Sequence, residues 1–499
     1  MTGHECWTGL QTSRNRSPPE RKLGPVLVLY HSTRGGPERL TFADALLAGL
    51  APDGGLYVPE SFPQFSQDEF RAFRGQPYAD VAFAVIKPFV GGTIDDATLK
   101  TIIDGAYGTF RHQAVAPLVQ LDEQHFVLEL FHGRTLAFKD VAMQFLARAM
   151  DHVLAERGQR ATIVGATSGD TGGAAIDAFL GRERTDMFIL YPDGRVSDVQ
   201  RRQMTTSAAG NVHALAIDGT FDDCQRIVKS MFTHAAFRQD VALSGVNSIN
   251  WARIVAQIVY YVTSAVALGA PDRKVSFCVP TGNFGDILAG WVAKKMGLPI
   301  DRLIIATNTN DILARTLETG RYEAAGVVKT SSPSMDIQVS SNFERLLFAA
   351  IGEDSDGVVR LMESLKQSGS FSLPDGALTS IRSEFSAGRA DEAAVSSTMR
   401  DTLIEAGYLA DPHTAVGIAV AQSLAQSEQL DPAVPIVTLA TAHPAKFPDA
   451  VKAATAVDPA LPAHLYDLMD RREKMDHLPN DQDAVEGFVR SNSRVAVPA

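Results

Sequence analysis

The chain has 499 residues, 45% hydrophobic and 21% charged, which gives two or three domains with cores of their own and excludes a disordered or repetitive chain. Its formal charge of −12, from 46 Lys+Arg against 58 Asp+Glu, excludes a broad nucleic-acid or anionic-membrane surface while leaving room for a local basic pocket. Cys6, Cys224 and Cys278 lie far apart with no CxxC, so neither a disulfide framework nor a metal site is expected, and a reducing, cytoplasmic setting is.

Residues 1–25 carry charge and the Pro18-Pro19 pair without a periodic apolar face, and are expected to form a disordered extension without a secretory signal. Order begins with VLVLYHSTRGG, a strand entering a Gly-Gly turn. TFADALLAGLAPDGGLYVPE then gives a capped helix, a turn at Pro52 to Gly55 and a strand closed by Pro59. Helical patterns over 79–90 and 95–107 complete an N-terminal domain at 26–117.

HFVLEL (125–130) reads as a buried strand, and Val141, Phe145, Ala149 and Val153 mark one face of a following helix. Lys139 sits at that junction among Leu136, Ala137 and Phe138. Apolar walls lower an ammonium pKa, which makes Lys139 a candidate nucleophile; the alternative is a lysine snorkelling at a helix start. ATIVGA (161–166), MFILYP (187–192) and VHALAI (212–217) repeat strand, turn and helix. VSFCVP (275–280), the helix 287–295, LIIATN (303–308) and PIVTLAT (435–441) form a second such series, so the expected fold class is α/β with mostly parallel sheets. The apolar stretch 254–270 is interrupted by Gln257, Thr263 and Ser264 and reads as a buried helix, not a membrane span. Residues 310–407 read as helical and loop-rich, and the last forty as surface helices.

Three loops follow apolar strands, where ligands of open α/β sheets collect. GATSGDTGG (165–173) frees N–H groups at a helix start, with hydroxyls from Thr167, Ser168 and Thr171, and suits a carboxylate; a plain helix cap and turn is the alternative. TGNFGDI (281–287) offers a phosphate cradle with Asn283 and lacks the lysine of a nucleotide loop. TLATAHPAKF (438–447) places Thr441 at a strand end, where an ordinary structural threonine is the alternative. Histidines 132, 413 and 443 read as packing residues.

LFHGRTLAFKD, GATSGDTGG and PTGNFGD together resemble the threonine synthase family, and so do YHSTRGG, DGGLYVPE, ATNTNDIL, SPSMDIQVSSNFERL, DPHTAVG and TAHPAKF. The resemblance covers nearly all of the chain after residue 26. It implies the tryptophan synthase β-like architecture, PLP fold type II: two open sheets with an additional N-terminal domain. A large pyridoxal-phosphate-binding domain would span 118–139 and 246–460, a small substrate-carboxylate domain 140–245, and a C-terminal helical segment 461–499.

The resemblance also implies roles. Lys139 would hold pyridoxal phosphate (PLP) as a Schiff base and shuttle protons; Gly282, Asn283, Phe284, Gly285 and Asp286 would hold its phosphate, Thr441 would face its ring nitrogen, and Asp170 would lie near its ring hydroxyl. Thr167, Ser168, Gly169 and Thr171 would bind the substrate carboxylate. The implied substrate is O-phospho-L-homoserine, converted with water to L-threonine and phosphate by a cytoplasmic monomer or homodimer with no nucleic-acid or membrane partner. For the substrate phosphate NSINWARI offers Ser248, Asn250 and Arg253, although Arg253 equally suits a buried structural ion pair. The alternatives are a phospholyase giving 2-oxobutyrate, a threonine or serine dehydratase, and a non-catalytic ligand-binding relative. Lys446 is the fallback nucleophile. Hinges are expected near 138–141 and 244–248, with residues 140–245 rotating to close the site.

Overall fold

The computed structural model describes residues 27–495 apart from 208 and 428; the N-terminal extension, with Cys6, lies outside the described residues. Two sheets organise the chain. The larger runs Phe385–Arg389, Ile300–Thr307, Val275–Pro280, Ile436–Ala440, His125–Glu129 and Leu118–Gln120 in spatial order, the first five parallel and the last antiparallel. The smaller is parallel throughout, in the order Asp476–Leu478, Val212–Ile217, Thr185–Pro192, Ala161–Ala166 and Leu243–Ser244. VSFCVP and TDMFILYP are buried at every position, because helices cover both faces of a parallel sheet.

Behind the strand His125–Glu129 runs the helix Lys139–Glu156, packed against Trp251–Ala267, Asp96–Tyr107 and Asp170–Phe179. Val141, Phe145, Ala149 and Val153 are all buried, as their spacing required, and so are Ala142, Leu146 and Met150 on the flanking faces. Helix Trp251–Ala267 is buried along almost its whole length, and no helix among the described residues is long and apolar enough to cross a membrane. Cys224 and Cys278 are buried and unpaired.

In three places the fold departs from the sequence reading. Asp95 is not the first helical residue but its cap, accepting from the N–H groups of Ala97 and Thr98. Within 310–407, Phe385–Arg389 (FSAGR) is the edge strand of the large sheet, and Arg321–Glu323 pairs with Ser370–Ser372. The third concerns 461–499, which is not a free-standing helical segment. Asp476–Leu478 extends the small sheet beside Val212–Ile217, and helix Gln482–Asn492 buries Val485 and Val489 against Phe188, Leu215, Cys224 and Ile227. The chain end is tied down by the Arg494 side chain and N–H on buried Asp186, at 2.6 and 2.7 Å, and by the Thr162 and Ser493 hydroxyls at 2.7 Å.

Candidate active site

Lys139 is delivered by a turn that the next residue clamps. The Asp140 carboxylate accepts from Thr135 N (2.8 Å) and Thr135 Oγ1 (2.6 Å), folding HGRT back over the helix start. A Cβ on Gly133 would lie 2.3 Å from that carboxylate, so the turn admits only glycine there. Phe138 N donates to Thr441 O (2.9 Å) and His443 N to Leu136 O (3.1 Å), which stitches LFHGRTLAFKD to TAHPAKF. The Lys139 helix therefore starts at the mouth of the large sheet, beside Thr441.

Lys139 is 8% exposed. Its Nζ lies 3.4 Å from Asp170 Oδ2 and 3.3 Å from Ser334 Oγ, and 5.1 Å from the centre of the Phe138 ring. Burial lowers its pKa; Asp170 opposes this, while the positive charges of Lys446 and Arg253 add to it. Asp170 begins helix Asp170–Phe179 and is 5% exposed. Its Oδ1 accepts from Gln200 Nε2 (2.8 Å) and faces Lys446 Nζ (3.1 Å). Burial alone would raise the pKa of this carboxyl, but Lys446, Lys139 and His413 outweigh it and hold the group well below the usual carboxylate range.

Around the first loop, Thr167 Oγ1 accepts from Gly169 N (3.0 Å) and Gly172 N (2.9 Å), so this hydroxyl caps its own loop. That corrects the expectation that Thr167 adds an outward hydroxyl and that all of these N–H groups face a ligand. The N–H groups of Ser168, Asp170 and Thr171 have no backbone partner among the described residues, and Ser168 and Thr171 are only half-buried. Gly169 adopts φ +141°, and a Cβ there would meet the Gln200 side chain at 2.4 Å.

The second loop turns at Phe284, whose φ of +63° places it in the left-handed region immediately before helix Gly285–Lys295. Its ring pays that strain back by packing on Phe343 and Phe385. At Gly282 a Cβ would stand 2.7 Å from Ser334 O. Asn342 holds the loop from behind, donating from N and Nδ2 to Asn283 O at 3.1 and 3.0 Å and from Nδ2 to Ser248 O at 3.2 Å. Asp286 differs from expectation: its Oδ1 accepts from the hydroxyls of Tyr260 and Tyr261, and burial pushes its pKa up to about 6. Its Oδ1 belongs to the helix contact with Trp251–Ala267, while the buried Oδ2 has no partner among the described residues.

Asn250 likewise serves the fold. It caps helix Trp251–Ala267 by accepting from Ala252 N (3.1 Å) and donates to Leu46 O (2.9 Å). Arg253, 4% exposed, has no carboxylate partner among the described residues, which removes the ion-pair reading. NH1 donates to Val246 O (3.3 Å), Nε has no partner, and burial drives its pKa down to about 10. A buried guanidinium left so underbonded is costly unless an anion completes it.

The histidines read as packing residues hold loops. His413 Nε2 accepts from Ser334 N (3.3 Å), which puts the proton on Nδ1 toward Asp411 Oδ2 (2.7 Å). His443 Nδ1 accepts from Ala445 N (3.1 Å), and burial lowers its pKa to about 4, keeping it neutral. His132 meets Glu129 Oε2 at 2.7 Å. Ser334, Gln200 and Gln203 were not foreseen. SPSMDIQ carries Ser334 inside a motif already noted, whereas nothing in DVQRRQMT marks its two glutamines.

A buried amine of lowered pKa, a glycine-built cradle at a helix N-terminus, the Thr441 hydroxyl and an anion-deficient arginine fit an aldehyde cofactor bearing a phosphate. Family models agree: Threonine synthase N terminus matches residues 29–107, Pyridoxal-phosphate dependent enzyme 110–365 and Threonine synthase, C-terminal 414–489. The threonine synthase of Pseudomonas aeruginosa is 51% identical over 470 residues, which cover 94% of this chain and 99% of that one. The chain belongs to the threonine synthase family. The threonine synthase of Saccharomyces cerevisiae is 43% identical over 85% of this chain and 89% of its own. A crystal structure of PLP-bound threonine synthase from Brucella melitensis superimposes with TM-score 0.91 at 62% identity, covering 94% of this chain and 100% of that one; the yeast structure does so with TM-score 0.89 at 40% identity, covering 93% and 98%. As a threonine synthase family member the chain is a pyridoxal-phosphate-dependent lyase acting on a small molecule, with the α/β fold class expected from its sequence.

Proposed function

We propose that this chain converts O-phospho-L-homoserine and water to L-threonine and phosphate, by γ-elimination of phosphate and addition of water at the β carbon. The observation that carries the substrate assignment is Arg253, a buried guanidinium with an unpartnered Nε, close enough to Lys139 to lower its pKa. Bound pyridoxal phosphate supplies the electron sink for bonds at the substrate's α and β carbons. Lys139 is the amine that would hold it, and its Nζ, whose pKa burial lowers, would take and return the α proton. The backbone of Gly282 to Asp286 would hold the cofactor phosphate at the start of helix Gly285–Lys295, and Thr441 would offer the ring nitrogen a neutral hydroxyl. Free N–H groups of Ser168, Asp170 and Thr171 receive the substrate carboxylate. Arg253 donates to the phosphate that leaves, with Ser248, whose backbone oxygen lies beside the Gly285 turn, as a hydroxyl candidate.

The acidic charge and sparse cysteines support a cytoplasmic enzyme with no nucleic-acid partner. Borohydride treatment of the purified protein, followed by peptide mapping, tests the nucleophile: label on Lys139 is expected, and label on Lys446 overturns the assignment. Product analysis tests the reaction. Threonine and phosphate in equal amounts are expected, whereas 2-oxobutyrate and ammonia would establish the phospholyase alternative.

A further inference from the structure

Asp170 is shared by two lysines from different parts of the chain, and their surroundings differ. Lys139 Nζ reaches Asp170 Oδ2 at a loose 3.4 Å and otherwise meets only Ser334 Oγ at 3.3 Å. Lys446, with no exposed surface, directs Nζ at Thr135 O (2.7 Å), Gln203 Oε1 (2.7 Å) and Asp170 Oδ1 (3.1 Å). Two acceptors, Thr135 O and Gln203 Oε1, take its protons, and the Asp170 carboxylate faces it as a counter-charge. The helix Asp198–Thr205 supplies Gln203 to Lys446 and Gln200 to Asp170, three residues apart and hence on one face. Lys446 is thus held in place by its partners, and Lys139, more loosely held, is free to react.

The reaction assigned to Lys139 changes both its charge and its position. Each time it does so, a buried Asp170 would lose a counter-charge and rise in energy unless another cation stayed in place. We propose that Lys446 is the standing counter-ion of Asp170, a positioning residue that keeps this carboxylate charged and fixed while Lys139 reacts. The inference rests on Lys139 being the nucleophile. The groups facing the pair are the cationic side chains of Arg253 and Lys446 toward Lys139, and those of Lys139 and Lys446 with the imidazole of His413 toward Asp170. Lys446 is the less suited of the two as nucleophile, since its nitrogen is held by Thr135 O and Gln203 Oε1 and faces Asp170.

Competitive acetylation of the full-length chain, freed of cofactor and quantified on the Lys139 peptide between pH 6 and 10, reads the protonation of Lys139 directly. In Lys446→Met, Lys139 loses a like charge and becomes the sole cation on Asp170, so its midpoint should rise by about one pH unit. A purely structural role for Lys446 would lower the thermal midpoint and leave the Lys139 titration where it was, which overturns the proposal. Should Lys446→Met not fold, the comparison passes to Asp170→Asn and Asp170→Asn/Lys446→Met. The single variant should titrate lower than wild type and the double variant higher than the single; equal midpoints in the two would overturn the proposal. Borohydride labelling separates the two levels of inference. Label away from Lys139 removes the functional reading, while label on Lys139 with a midpoint indifferent to residue 446 removes only this one.

Discussion

At the scale of single residues, the site divides into groups whose polar atoms are spent on the fold and groups left with something to give. Arg253 is of the second kind. Arg253→Ala should lower kcat/KM for O-phosphohomoserine by roughly ten- to a hundredfold, since charge-assisted bonds are worth about 1.5–3 kcal/mol, and should affect a phosphate-free analogue far less. Steady-state kinetics on both substrates check this, and equal losses would mark a structural arginine. Asp286 is of the first kind, and its contribution is to stability. Its folded pKa of about 6 exceeds the ordinary carboxyl value of 3.8, so the folded state holds a proton that the unfolded state releases between those values. Wild type should therefore lose stability relative to Asp286→Asn as pH rises from 4 to 6, by about 3 kcal/mol at most, with no further change above. Urea denaturation at pH 4, 5, 6 and 7 measures the difference, and a gap that does not vary with pH would show Asp286 to be charged in the fold. Lys139→Ala should fold, carry no borohydride label and have no turnover.

Among the elements, the informative ones are those with weak signals. Phe385–Arg389 escaped notice because FSAGR holds only Phe and Ala as apolar residues, and an edge strand needs one neighbour and no continuous apolar run. The strand Asp476–Leu478 has three residues, too few for any period to show. Its helix, Gln482–Asn492, does have an apolar pair in Val485 and Val489, but the partner surface comes from residues more than 250 positions earlier. Because this end of the chain completes the small sheet, Arg494→Ala should cost about 1–3 kcal/mol of stability by leaving buried Asp186 short of its cationic partner. Chemical denaturation is the measurement, and an unchanged midpoint would show that the Arg494–Asp186 pair adds nothing to stability.

For the whole molecule, the packing of helix Lys139–Glu156 revises where closure must pivot. A rotation of residues 140–245 about Phe138 to Val141 would tear that helix from Trp251–Ala267 and Asp96–Tyr107, which hold it as tightly as helix Asp170–Phe179 does. The cheaper motion leaves the helix in place and turns the small sheet with its C-terminal strand and helix, pivoting after Glu156 and near Ser244 to Ser248. A substrate held by the Ser168 to Thr171 loop on one side and by Arg253 on the other would draw the two sheets together and shed water. Solution scattering with and without a phosphonate analogue should show a smaller radius of gyration on binding. Unchanged dimensions with tight binding would mean a preformed site.

Sequence by itself determined the strands at 161–166, 187–192, 212–217 and 275–280, the helix behind Lys139, and the loops that hold the chemistry. These are local matters: periodicity, glycines at forced turns and apolar runs are written within ten residues of one another. Only the tertiary structure decided which polar side chains remain available. Asn250 and Arg253 stand three apart in NSINWARI with equal claim to an anion, yet Asn250 is taken up by Ala252 N and Leu46 O while Arg253 has an Nε with no partner. Lys139 and Lys446 both follow strand ends beside apolar residues and both face Asp170, and what separates them is that Thr135 and Gln203 converge on one and not the other. A hydrogen bond is satisfied or left open by whatever the fold brings within 3 Å, and those partners come from anywhere in the chain.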